Sequence, residues 1–399
     1  MAVALFLCYF TSQNQRIRYN VNSIFMSVEI REVSSKQDLK KFIWFGVNLY
    51  KDCEYAAPPL MMDDLLNLSK GKNPALDFCE ATYFMAFKEG KIAGRIACIL
   101  NPISNETWNQ KHARFGWVDF IDDAEVTKAL FDVATAWAKE KGMTAIHGPL
   151  GFTDFDHEGT LIEGFDKLGT LAAIYNYSYY AKHIEANGFV KDMDWKEYQI
   201  TIPDEFPEKY FRIADIVKKK FNLTALQFKS RKEVVNNYAA KIFDLLNLTY
   251  SHLYGFTKLN EKQKHFYISL YFSFFRTDTI SIIVDGKDDV VALGIAMPSF
   301  TKALQKAKGR LFPLGWYYML KALRQNDTVD LYLMAVHPDY QSRGLTSVIF
   351  ADIMPNAAKN GYKFAESNPE LETNTRMSSQ WGSFEYVNHK KRRVYIKHI

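Results

Sequence analysis

The 399-residue sequence has no apolar run of the roughly 18–20 residues that crossing a bilayer as a helix requires, which argues against an integral helical membrane protein. Cysteine is scarce. Cys8, Cys53, Cys79 and Cys98 form no C-x-x-C pair, and none has a histidine at metal-ligand spacing. No zinc pattern or disulfide framework follows, and the four read as free thiols of a reducing, cytoplasmic compartment. The nine histidines contain no H-E-x-x-H, so no metal is expected. Glycine (20) and proline (12) are few and aperiodic, which excludes collagen-like and low-complexity chains. Charge of one sign is also in short supply: a net +5 is too little to argue for nucleic acid. The P-loop, the G-x-G-x-x-G turn after a strand and the G-x-S-x-G elbow are all absent.

What is present is a chain that is 48% hydrophobic and 24% charged, able to bury a large core divided into two or three domains. Aromatics reach 15%, which reads mainly as core. Met1 to Phe10 is mostly apolar but lacks a positive region before it. Met26-Ser27 leads straight into the alternating segment 28–33, so residues 1–26 read as a non-native or mobile extension rather than a targeting segment.

Alternation and helical spacing predict strand 28–33, helix 36–51, a hairpin over 83–87 and 92–100, strand 115–121, helix 124–141 and strand 144–147. A long connection over 148–169 precedes a helix ending at Asn187-Gly188-Phe189 and a closing strand at 195–201. Pro203 and Pro207 break the pattern, and a similar order returns: a strand near 223–229, helices 231–252 and 261–275, and a hairpin over 280–284 and 290–297. An insertion at 299–327, strand 329–336, a helix from Gly344 to before Gly361, strand 362–366, a short helix from about Thr375 and strand 392–397 complete it. Pro355 is expected to kink or shorten its helix. One order found twice predicts a repeated α/β (α+β) unit, with a boundary at 202/203.

The clearest chemical signal is Leu331 to Thr346. A buried strand containing Met334, Ala335 and Val336 runs through His337-Pro338-Asp339-Tyr340 into Gln341-Ser342-Arg343-Gly344-Leu345-Thr346 and then a helix. Unpaired N–H groups and the dipole at that helix start form a site suited to a pyrophosphate. Arg343 adds charge, and Gly344 permits close approach of the backbone.

This segment resembles the GNAT acyltransferases, whose acyl-CoA site is a strand followed by [QR]-x-x-G-x-[GA]; Thr346 departs from the last position. The resemblance implies two GNAT-like mixed-sheet domains in tandem, with helices on both faces. Residues 27–202 would be a degenerate copy, because Asp122-Asp123 would repel a phosphate. Residues 203–399 would hold acyl-CoA, with Asn374 contacting it. The family tyrosine that often protonates the leaving thiolate is replaced by Trp381, a poor acid, so that role is in doubt or moves to Tyr386. Glu-Ile-Arg-Glu-Val at 29–33, Ala-Arg-Phe-Gly-Trp at 113–117, His-Gly-Pro at 147–149 and Glu-Thr-Asn at 372–374 are similar to bacterial proteins of the ceramide-synthase kind. That likeness implies transfer from acetyl-CoA or a fatty acyl-CoA to a small-molecule or lipid amine, a sphingoid base being the example, with attack on the thioester directly.

Two other segments carry side chains fitted to such chemistry. The connection offers Asp154, Asp156, His157 and Glu158 as groups able to take a proton from an amine, or as a solvated acidic loop; Glu366, on an interior strand, is the alternative base. The insertion centres on Arg310 to Leu320, flanked by Lys306, Lys308, Lys321 and Arg324. Trp and Tyr beside cations suit peripheral contact with the inner membrane through 310–324, an acyl-chain tunnel, or a core helix. The basic run His389 to Arg393 reads as a solvated strand, or as a contact for CoA phosphates or anionic lipid. Two rival functions remain at this level: an aminoacyl or peptidyl transferase of the cell-wall type, and a non-catalytic acyl-CoA-binding protein. Acyl chain length, the amine and the oligomeric state are not legible in the residues.

Overall fold

A computed structural model describes residues 28–271, 275–374 and 379–399. The expectations for residues 1–26 and for a helix beginning at Thr375 lie outside the described residues.

The first half contains β1 (Val28–Glu32), α1 (Lys36–Leu49), α2 (Met61–Asn67), β2 (Glu80–Lys88), β3 (Lys91–Leu100), α3 (Pro102–Thr107), β4 (His112–Phe120), α4 (Ala124–Glu140), β5 (Ala145–Gly148), β6 (Thr160–Glu163), α5 (Tyr179–Ala186) and β7 (Val190–Thr201). The second contains α6 (Glu208–Phe221), β8 (Thr224–Ala225), α7 (Arg231–Thr249), α8 (Glu261–Tyr271), β9 (Ile280–Val284), β10 (Val290–Pro298), α9 (Thr301–Ala307), α10 (Gly315–Ala322), β11 (Thr328–Val336), α11 (Leu345–Lys359), β12 (Phe364–Ser367), β13 (Glu370–Leu371) and β14 (Tyr386–His398).

Local chemistry accounts for the helix starts. Ser35 accepts from Asp38 N ahead of α1, Ser230 accepts from Glu233 N ahead of α7, and Asp123 accepts from Glu125 N and Val126 N ahead of α4. Strand alternation sets the layers. Phe84 and Ala86 face α4, while Met85 between them faces α1; Ala292 packs with α11, and its neighbour Leu293 packs with α7. Both faces of the sheet are therefore covered by helices.

All the strands join one mixed sheet in the order β1-β2-β3-β4-β5-β14-β7-β12-β11-β10-β9-β8, with β6 and β13 pairing from off this path. The last strand of each half lies across the seam. β14 pairs with β5, β7 pairs with β12, and the two pair with each other over 386–396 and 190–200. Charge holds this exchange in register. Lys390 and Arg392 of β14 bind Glu197 of β7 at 2.9 and 2.5 Å, and Arg393 and Lys391 bind Asp194. The basic run at 389–393 is thus no solvated strand, because the Lys390, Arg392 and Glu197 side chains are at most 1% exposed.

Three other expectations need correction. A strand, β6, lies inside the 148–169 connection and pairs with β14. A helix, α6, follows Pro207, where only a break was read. Pro355 sits inside α11, which nevertheless runs on to Lys359: one lost hydrogen bond is outweighed by burial of Ile353, Met354 and Ala357 around it.

Candidate functional site

Both halves open between two parallel strands. β4 pairs with β5 only over 112–114 and 145–147; β11 pairs with β12 only over 328–331 and 364–367. In the first half the gap is filled from within. Leu150 N donates to Phe115 O at 2.8 Å, and a Cβ on Gly116 would meet Leu150 O at 2.4 Å. In the second half residues 332–336 keep β10 on one side, but past Leu331 no strand pairs on the other among the described residues. Side chains reach that edge instead: Asn368 Nδ2 donates to Tyr332 O and the Tyr250 hydroxyl to Met334 O, each at 3.0 Å.

Beyond β11 the chain makes a tight 3-10 turn over 338–340. Gln341 Nε2 donates back to Val336 O at 3.3 Å, and Ser342 and Gly344 adopt left-handed backbone at φ 59° and 86°. Gly344 is the N-cap of α11 and offers no side chain. Thr346 does not cap the helix; it lies within its first turn. The first N–H groups of α11 thus follow a left-handed turn at Ser342 and Gly344 with no side-chain cap, the geometry in which an anion binds. Arg343 stands over the rings of Phe221 and Tyr340. Ala335 and Leu345 are buried in the core.

A cavity of about 660 Å³ lies against this open edge, a volume suited to a ligand with a long chain. One wall is β11, including Tyr332 and Met334; Asn374 and Trp381 close it nearby. A second wall is Asp154, Phe155, Asp156, His157 and Glu158 of the connection, faced by Asp63 and Asp64 of α2. A third is apolar and comes from the insertion: Leu311, Trp316, Met319 and Leu320.

The polar wall is anchored by Arg114. Its guanidinium donates to Gly151 O, Ser104 Oγ and Gly255 O at 2.9–3.0 Å, tying the connection to both halves. Asp156 folds the loop on itself by accepting from Phe152 N and Thr153 N. His157 has a defined tautomer. Its Nε2 lies 3.0 Å from Leu171 O, which can only accept, so Nε2 carries the proton and Nδ1 keeps its lone pair. Burial pushes the imidazole below its ordinary value, so it is neutral at pH 7. Burial raises Asp154 to about 7 and Asp156 to about 6. It raises Glu158 well above the usual carboxylate range, with Asp154 adding to the effect.

The cavity brings together Asp154, His157, Glu158, Met334 and Asn374. Glu366 does not line it. That carboxylate is 8% exposed and accepts from Gln199 Nε2 at 2.7 Å, with His389 Nε2 at 2.9 Å. Tyr386 lies on β14, 42% exposed, with its ring against Tyr198. Sequence reasoning missed Glu370, as it missed Asp63 and Asp64 on the same cavity. Glu370 accepts from Trp381 Nε1 at 3.0 Å, lines the cavity and is raised by burial to about 7. Among the described residues no cluster of His, Cys, Asp or Glu is arranged to hold a metal, and no helix is long and apolar enough to cross a membrane.

Comparison with known proteins defines the class. No family model matches the chain. A tandem GNAT protein from the clavulanic acid biosynthesis pathway superposes with a TM-score of 0.53 at 11% identity, over 93% of this chain and 98% of that one. A GCN5-related glucosamine N-acetyltransferase region of a fungal multi-domain β-N-acetylglucosaminidase gives 0.55 at 14%, over 95% of this chain and 39% of that one. The chain has the tandem GNAT fold, as its strand–turn–helix segment implied.

Two full-length sequence relatives narrow the similarity. Protein YghO of Escherichia coli strain K12 is 28% identical over 382 residues, 93% of this chain and 95% of that protein. A bacterial ceramide synthase of Caulobacter vibrioides strain NA1000 / CB15N is 24% identical over 375 residues, 92% of this chain and 96% of that protein.

Proposed function

We propose that the protein is an acyl-CoA-dependent N-acyltransferase whose acceptor is a long-chain amine of the sphingoid type. One observation carries this reading. A single cavity joins the open edge of β11, a wall of half-buried carboxyl groups with a neutral histidine, and a long apolar wall. That order of surfaces matches an amphiphilic amine set beside a thioester. The likeness to a bacterial ceramide synthase supports the same substrate class.

In this reading residues 203–399 hold the donor. The 341–346 turn and the start of α11 take the pyrophosphate, Met334 and the edge of β11 take the pantetheine, and Asn374 contacts the cofactor. Residues 27–202 shape the acceptor end. The ammonium gives its first proton to Asp154, which burial raises to about 7 and so makes a stronger base than a solvated carboxylate. Attack on the thioester carbon then makes the nitrogen cationic and its remaining N–H acidic, and Nδ1 of His157 accepts that proton. The tetrahedral intermediate collapses to amide and CoA with no covalent enzyme intermediate. Phe312, Leu314 and Tyr317, exposed by 71%, 54% and 49% at the tip of the insertion, support contact with the inner membrane surface from which such an amine would be drawn.

The test is transfer of acyl groups from acetyl-, octanoyl- and palmitoyl-CoA to sphinganine and to short amines, with binding read in parallel as thermal stabilisation. Palmitoyl transfer to sphinganine is the expected result. Stabilisation by acyl-CoA without transfer to any amine would favour a non-catalytic binding protein, and no stabilisation by any acyl-CoA would overturn the reading.

A further inference from the structure

We propose that Glu370, held by the indole of Trp381, is the acid that protonates the departing thiolate of CoA. The inference rests on the transferase reading above and adds a residue to it.

Trp381 occupies the place where a tyrosine would supply that proton. Its side chain is 1% exposed and its N–H is spent on Glu370 Oε1 at 3.0 Å, so it has no proton to give the cavity. What it does is orient a carboxyl group. Oε1 of Glu370 is fixed by the indole, while Oε2 has no hydrogen-bond partner among the described residues. Both residues face the cavity that borders the open edge of β11. The backbone fixes their place: Glu370 pairs with Lys196 of β7, two residues after Asn368, whose amide binds Tyr332 O on that edge. Tyr386, the other available phenol near the chain end, does not line this cavity.

Chemistry favours the protonated form. A carboxylate enclosed beside an indole, with no cation against it among the described residues, is costly, and burial raises Glu370 to about 7. The carboxyl therefore holds its proton over much of the neutral range. As the tetrahedral intermediate collapses, the C–S bond breaks with its electron pair going to sulfur. The Glu370 O–H proton passes to that sulfur, giving CoA-SH and a carboxylate, while the new C–N bond is retained. Reprotonation of the Glu370 carboxylate after CoA leaves, with loss of one proton each from Asp154 and His157, closes the cycle with one net proton released per amide formed.

The experiment compares two donors with the same acyl chain: palmitoyl-CoA and the palmitoyl thioester of an aromatic thiol, whose thiolate leaves without protonation. For Glu370→Gln, kcat with palmitoyl-CoA should fall by about 100-fold or more, with KM within about twofold, because an acid catalyst contributes at least that much. With the aryl thioester the loss should stay below about threefold. In Trp381→Phe the carboxyl loses a donor that holds its pKa down, so the alkaline limb of kcat should move to higher pH. Equal losses with both donors would reduce Glu370 to a structural role, and an unchanged rate with palmitoyl-CoA would overturn the proposal outright. Wild-type protein that transfers from neither donor would instead overturn the transferase reading beneath it.

Discussion

His157→Gln separates catalysis from architecture at the acceptor end of the cavity. The imidazole has two tasks. Nε2–H donates to Leu171 O at 3.0 Å and so tethers the connection, while Nδ1 keeps a lone pair for the chemistry proposed above. A glutamine amide can supply the first function and not the second. Keeping the tether should hold the stability change below about 1 kcal/mol, whereas His157→Ala would orphan the carbonyl at a cost of about 1–3 kcal/mol. Removing the base should lower kcat by about 10²–10⁴-fold, or about 2.7–5.5 kcal/mol on the barrier. The pH profile gives a second, independent readout. The active form is the neutral imidazole, and burial holds its pKa below the ordinary 6.5. Activity should therefore rise with pH on an acid limb lying below 6.5, and that limb should vanish in the variant. Steady-state release of CoA, read with a thiol reagent from pH 5 to 9, measures both. A variant that keeps more than a third of wild-type kcat and the same acid limb would refute the assignment and move the base to Glu158 or Asp154.

Gly344→Ala, at φ 86° and with a Cβ 3.1 Å from Val217 Cγ2, should cost about 1–2 kcal/mol in melting experiments and weaken acyl-CoA binding in titration calorimetry. Arg392→Met should destabilise the fold by about 3–5 kcal/mol in urea, because Glu197 loses its 2.5 Å partner in a site closed to water. The paired substitutions Phe312→Ser and Leu314→Ser should abolish sedimentation with phosphatidylglycerol–phosphatidylethanolamine vesicles while leaving octanoyl transfer to a short soluble amine unchanged; persistent sedimentation would dismiss the tip as the contact. Titration calorimetry with palmitoyl-CoA should give one site per chain, and a second site of similar affinity would contradict the blocked first cleft.

The regular elements were legible where one period dominates. The hairpins and the helices α1, α4, α7 and α11 fall within a few residues of their predicted spans, because caps such as Ser35 and Asp123 and turns such as Lys88-Glu89-Gly90-Lys91 fix their ends locally. α6 escaped notice because two prolines ahead of it suggested a linker, although Pro207 is compatible with a helix start. β6 was hidden in the long connection, since four residues carry too little alternation and its partner lies more than two hundred residues away. The same distance concealed the exchange of β7 and β14. Its local trace was a basic run whose complement, Asp194 and Glu197, belongs to the other half. The 331–346 segment announced itself by strand, turn and helix in succession. Glu370 could not, because its meaning depends on an indole eleven residues on turning toward it.

The two halves differ less in fold than in what fills the gap between their parallel strands. In the first, the chain leaving β5 turns back at once and lays Leu150 and Gly151 along β4, so backbone occupies the gap a ligand would need. Asp123, at the start of α4, spends its carboxylate on two helix N–H groups and on Lys88, which consumes the donors an anion would require. In the second half the turn before α11 brings no acidic cap, and the gap beside β11 stays open. The segment that plugs the first cleft continues directly into Asp154, His157 and Glu158, which face the second. Closing one cleft and furnishing the other are thus achieved by one stretch of chain, fixed by the three hydrogen bonds of Arg114. The filled gap in the first half is then the structural condition for that half to supply the polar wall of the cavity.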